Sequence, residues 1–136
     1  MIEEQYVSFV TALMTKEQGF DKKVRYYFTP KGTHIYPNFL CLPTKYLHGV
    51  ARPTQELLAR WLREKYRIQI SIIYNYHNFC CHVEIEQLVD VKSPIYNSGT
   101  YKSYEDAKET GLQSALALLN VSQNYDNTIY IGKLGV

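Results

Sequence analysis

Apolar residues recur at helical spacings of three and four in three stretches of the chain, and two others alternate as half-buried strands do. In the first stretch Tyr6, Phe9, Val10, Leu13 and Met14 fall on one stripe, which predicts a helix from Glu4 to Gln18 ended by Gly19 as a left-handed cap. Val24 to Phe28 is rich in aromatic and β-forming residues. The Thr29-Pro30-Lys31-Gly32 turn that follows then predicts a hairpin returning through Thr33 to Tyr36. From Pro37 to Pro53 three prolines and a glycine break any period, so this segment reads as a loop.

The later part of the chain is patterned more strongly. Thr54 caps a second helix whose inward stripe is Leu57, Leu58, Trp61, Leu62 and Tyr66. Ile68, Ile70, Ile72 and Tyr74 then alternate with Gln69, Ser71 and Asn75, and a reversal at His77-Asn78 returns an antiparallel strand with Phe79, Cys81, Val83 and Ile85 on one face. A third strand is expected between Val91 and Tyr101, with Pro94 marking an edge or an end. Ser103 and Asp106 form a capping box for a last helix that buries Ala107, Leu112, Ala115, Leu116 and Leu119. A β-like run from Thr128 to Ile131 closes the chain as an edge strand or a free tail.

These elements predict an α+β protein. Residues 53–136 form an αβββα unit, a three-stranded antiparallel sheet with two helices on one face, and residues 1–52 add an N-terminal αββ extension. The two are expected to make one compact domain. At 136 residues and 46% hydrophobic, the chain has material for one core rather than two. No apolar run approaches the ~18 residues of a membrane span, and no signal-like segment follows the acidic N-terminus, so a cytoplasmic protein is expected. Three cysteines without a CxxC pair fit reduced thiols.

The net charge of +2 conceals an asymmetry. Residues 1–68 hold eleven Lys/Arg against six Asp/Glu, a balance of +5, and residues 69–136 hold four against seven, a balance of −3. A basic half attracts phosphates or acidic partners. Arg60, Arg63 and Arg67 share the outward side of the second helix, and Lys102 and Lys108 lie near the start of the last, so these five are the candidate nucleic-acid contacts. Glu56 and Glu64, four residues either side of Arg60, offer ordinary intrahelical pairs instead.

Candidate chemistry is sparse. Cys80 and His82 project from one strand face near Glu84 and Glu86, with His77 and His34 as conceivable neighbours, but two ligands without a second pair read as a polar sheet face. Glu105 and Asp106 suit the first turn of a helix whether or not they do anything else, and Glu109 follows on the same helix. No catalytic residue, metal ligand or cofactor is assigned, and a non-enzymatic protein is expected. Thirteen tyrosines supply rigid contact area, which favours a binding surface.

The order helix, three strands, helix, with Pro53 and Leu57-Leu58 opening one helix and Ser103 to Lys108 opening the other, resembles the double-stranded-RNA-binding domain. That family's Lys-Lys-x-Ala-Lys run survives only as Ala107 and Lys108. Tyr104 and Glu105 stand in the lysine places, Arg60 replaces a usual glutamate, and the groove-entering loop shrinks to a turn at His77. The resemblance therefore implies the fold with the RNA grip reduced. Over nearly the whole chain, Phe20-Asp21, Arg25 to Phe28, Pro53 to Glu64 and Tyr101 to Ala107 resemble small uncharacterised phage and mobile-element proteins of gut anaerobes. The expectation is an accessory binding module acting through protein contacts with an unidentified partner; nucleic acid bound on the helix at 54–67 is the alternative. The sheet edges also offer a route to a homodimer.

Overall fold

The computed structural model describes residues 4–43, 48–75, 77–85, 95–97 and 99–135, with backbone alone at 36–39, 75, 85, 95–97 and 121–135. The chain runs α1 (Phe9–Glu17), β1 (Val24–Phe28), β2 (Ile35–Cys41), β3 (Val50–Ala51), α2 (Gln55–Tyr66), β4 (Ile68–Asn75), β5 (Asn78–Ile85), β6 (Ile95–Asn97) and α3 (Tyr104–Gly135). It is an α+β fold in which the described residues form three helices and two antiparallel sheets, ordered β2-β1-β3 and β4-β5-β6.

Local signals set many of the boundaries. The Thr54 side chain accepts from the Leu57 amide at 3.1 Å to open α2, and Arg67 closes it in the left-handed region at φ +57°. The Ser103 hydroxyl accepts from the Asp106 amide at 3.1 Å at the start of α3. Gly19 follows α1 at φ +76°, the conformation that its lack of a Cβ permits. The β4–β5 hairpin pairs Asn75 with Asn78 across two residues, and His77 there takes φ +69°.

Four expectations are corrected. The first helix begins at Phe9, not Glu4, because Ser8 caps it and the preceding residues pair in extended form with the 53–55 segment: Val7 N–H donates to Pro53 O and Gln55 N–H to Gln5 O. The apolar stripe of this helix is split, with Phe9 and Met14 packed half-buried against the core. Thr11, Ala12 and Thr15 are buried, whereas Val10 and Leu13 are 59% and 37% exposed. The segment predicted as a loop after Tyr36 contains the rest of β2, where Pro37 is tolerated because the strand lies at a sheet edge, and the two-residue β3, too short to show a period. The N-terminal part is therefore αβββ rather than αββ. Finally, Thr128 to Ile131 lies within α3, since no glycine or proline interrupts the chain between Gly111 and Gly132 and the helix propagates through the β-favouring residues.

One cluster of buried side chains draws on Val24, Tyr27 and Phe28 of β1, Leu58, Trp61 and Leu62 of α2, Ile68 and Val83 of the second sheet, and Leu112, Leu116 and Leu119 of α3. Burial of each large apolar side chain contributes about 1.5–3 kcal/mol. α3 seats closely on the second sheet at Gly111, where an added Cβ would lie 2.8 Å from Ile70 Cγ2 and 3.2 Å from Cys81 Cβ. The segment after α1 is joined to α2 by Trp61, whose ring meets Phe20 edge-on, as it does Tyr66 of its own helix, and whose Nε1 donates to Asp21 at 3.1 Å. Among the described residues no helix is long and apolar enough to cross a membrane.

Candidate functional site

Because α1 buries its threonines, a polar junction forms where it meets α2 and α3. Glu109 of α3 accepts from the Ser8 amide at 3.0 Å, the Ser8 hydroxyl at 2.9 Å and the Thr11 hydroxyl, while its other oxygen accepts from Gln55 Nε2 at 3.1 Å. Gln113 Nε2 donates to Thr11 Oγ1 at 3.0 Å, and the Thr15 hydroxyl donates to Thr11 O at 2.7 Å. A carboxylate at the α1 N-terminus is doubly favourable, satisfying free amides and opposing the positive helix end. The bonds tie the start of α1 to α2 and α3, so the junction works as a structural clamp.

The clamp dictates what α1 shows to solvent. With Thr11 and Thr15 turned toward α3, Val10 and Leu13, three residues apart, point outward beside half-buried Met14. A second apolar exposure lies at the hairpin end of the β4–β5 sheet, where α3 has not yet begun to cover it. There Tyr74 meets Phe79 at 5.1 Å between ring centroids and Phe79 meets Tyr104 edge-on at 6.3 Å. Tyr74 and Tyr104 are both exposed.

Of the five basic candidates, four are exposed and one is buried. Arg60, Arg63 and Arg67 are exposed, and Arg60 pairs with Glu64 at 3.6 Å along the helix. Lys102 is exposed ahead of α3. Lys108 is buried, its ammonium 2.6 Å from Glu56 and 3.4 Å from the Tyr104 hydroxyl. Glu56 therefore binds Lys108 across two helices, in place of the intrahelical partner that spacing suggests.

Cys80, His82 and Glu84 do share one face of β5, opposite the face that α3 covers, with His82 4.0 Å from Glu84. His77 lies 3.5 Å from the Tyr74 hydroxyl and His34 bonds Thr33, each in its own turn. Glu86 lies outside the described residues. Among the described residues no three His, Cys, Asp or Glu side chains gather where a metal ion could be held. Among the described residues Cys41, Cys80 and Cys81 form no disulfide, and Cys81 is fully buried. Two features escaped sequence reasoning: the Glu109 junction, whose partners lie 54 to 102 residues apart, and the outward turn of Val10 and Leu13 that follows from it. Compared with known protein families, curated proteins and solved structures, the chain finds no match.

Proposed function

We propose that this chain is a non-enzymatic binding module, an accessory protein of the phage or mobile-element kind, that docks an apolar segment of a protein partner on the outward face of α1. The observation that carries this reading is the orientation of that helix. Nine residues long, it keeps its polar threonines for the interior and presents Val10 and Leu13 to water. Exposing Val10 and Leu13 side by side has a solvation cost that a partner would remove.

The element order α2-β4-β5-β6-α3 and the close seating of Gly111 on Ile70 and Cys81 support a scaffold of the double-stranded-RNA-binding-domain type, with both helices on one sheet face. On such a scaffold the duplex-RNA role draws less support. Lys108 is taken up by Glu56, and the glutamate at 105 places a negative charge where the family grips phosphate.

Selection of displayed random peptides against the purified protein tests the reading. Enriched peptides are expected to carry aliphatic or aromatic anchors and to bind at least tenfold more weakly to a Val10→Lys, Leu13→Lys variant that retains the native circular dichroism spectrum. Failure to enrich any sequence, or binding indifferent to the two lysines, contradicts it.

A further inference from the structure

A second surface, separate from α1, carries different chemistry. A groove of about 380 Å³ opens where β1 meets residues 4–6 and 52–57. This is within the size class of small-ligand pockets. Among the described residues three cations line it, Lys23, Arg25 and Arg52, together with Tyr6, Tyr26 and one carboxylate, Glu4. The strand pairing that forms its wall is irregular. Between Val24 and Tyr26 β1 advances two residues while β2 advances four, from Cys41 to Pro37. The consecutive residues Arg25 and Tyr26 both line the groove there.

Arg52 is held in place. Its backbone N–H donates to Tyr26 O at 2.9 Å, its Nε donates to Val7 O at 3.3 Å, and its guanidinium lies 5.0 Å from the centre of the Tyr6 ring and 5.4 Å from that of Phe28. Among the described residues its terminal nitrogens bond nothing, and neither Lys23 nor Arg25 makes an ion pair. Tyr26 meets Tyr6 edge-on at 5.2 Å and is only partly buried, and its hydroxyl has no partner among the described residues. Glu4 Oε2 accepts weakly from the Tyr6 hydroxyl at 3.4 Å.

The lining discriminates between classes of ligand. A bare anion or an acidic peptide satisfies the three cations but leaves the rings idle and meets repulsion from Glu4. A nucleotide uses every part: its phosphate takes the guanidinium and ammonium groups, its base stacks on a tyrosine, and an exocyclic amine or ribose hydroxyl donates to the carboxylate. Stacking requires a base that is not already sandwiched in a duplex, which selects a single strand.

We propose that this groove binds single-stranded nucleic acid, seating one nucleotide with its phosphate on Arg52, Arg25 and Lys23 and its base against Tyr26. The site is independent of the α1 surface and stands whether or not α1 docks a peptide.

Fluorescence anisotropy with a labelled mixed-sequence 12-mer, single-stranded and as duplex, at about 50 mM NaCl is the test. The full-length protein is compared with Lys23→Glu/Arg25→Glu, with Tyr26→Leu and with Arg60→Glu/Arg63→Glu on α2, each confirmed folded by circular dichroism. Expected are micromolar binding of the single strand, weakened by higher salt, tighter than duplex, reduced more than tenfold by the Lys23/Arg25 pair and about tenfold by Tyr26→Leu, and unchanged by the α2 pair. Four results overturn the proposal: no anisotropy change at 100 μM protein, equal or tighter binding of duplex, equal loss in the α2 pair, or displacement by an equimolar Glu 12-mer.

Discussion

Replacing Gly111 by alanine probes how closely α3 lies on the β4–β5 sheet. In an isolated helix the change is stabilising by about 1 kcal/mol, because alanine restricts the unfolded backbone and favours helix. Here the new Cβ would stand 2.8 Å from Ile70 Cγ2, well inside the 3.5–4.0 Å at which carbon atoms attract. The obstructing atom sits on a β-branched side chain with little χ1 freedom, so it yields only if the helix or strand backbone moves. Overpacking of this kind costs about 1–3 kcal/mol, which outweighs the propensity gain and leaves Gly111→Ala destabilised by about 1 kcal/mol. In an Ile70→Ala background Cγ2 is gone, Cys81 Cβ at 3.2 Å needs to shift by only a few tenths of an ångström, and the same alanine should be stabilising by about 1 kcal/mol relative to Ile70→Ala alone. The double-mutant cycle thus predicts a sign reversal and a coupling of about 2 kcal/mol. Urea unfolding followed by circular dichroism, with an unchanged denaturant slope, reads it. Stabilisation by Gly111→Ala in the otherwise native protein would refute the close seating of α3.

Two further outcomes follow from the same junctions. Glu109→Ala strips an acceptor from Ser8, Thr11 and Gln55 at once and should lower unfolding free energy by about 3 kcal/mol, whereas a loss below about 0.5 kcal/mol would mean that α1 is not clamped there. The Tyr6 phenol is raised above its ordinary value of 10, first by burial, which disfavours the phenolate, and then by the neighbouring Glu4 carboxylate. A folded-state pKa above the unfolded one means that Tyr6's contribution to stability is intact below pH 10 and is lost as pH rises through the folded value. Carbon-13 NMR of the ring ζ carbon should show titration above 10 that falls back toward it in Glu4→Gln, and a midpoint at or below 10 in the native protein contradicts this.

What the sequence made legible was local. The caps at Thr54 and Ser103, the alternation from Ile68 to Tyr74 and the stripe Leu112, Leu116, Leu119 each depend on residues within a few positions of one another, and each signals the structure found. The α1 stripe misled because periodicity reports which residues share a face, not which face finds the core. Tyr6, Phe9, Val10, Leu13 and Met14 are spaced as one helical face, yet partners supplied by Glu109 and Gln113, about a hundred residues away, bury the threonine face instead, leaving Phe9 and Met14 at the edges of the contact and Val10 and Leu13 outside it. Lys108 is a similar case. From the sequence it is a surface cation beside the helix start, and only the approach of α2 brings Glu56 to 2.6 Å and turns it inward. The candidate groove was equally hidden, since Glu4, Tyr6, Lys23, Arg25, Tyr26 and Arg52 come from three separated segments joined by pairing of residues 5–7 with 53–55.

The orientation of α1 carries both the clamp and the proposed docking face, and the stability of Val10→Lys, Leu13→Lys tests it most directly. Lysine suits a helix nearly as well as the residues it replaces, and its stem can keep part of the contact that Leu13, 37% exposed, makes, so the unfolding free energy should change by no more than about 1 kcal/mol per substitution. A combined loss above about 4 kcal/mol would show that these side chains belong to the core and that the helix faces the other way.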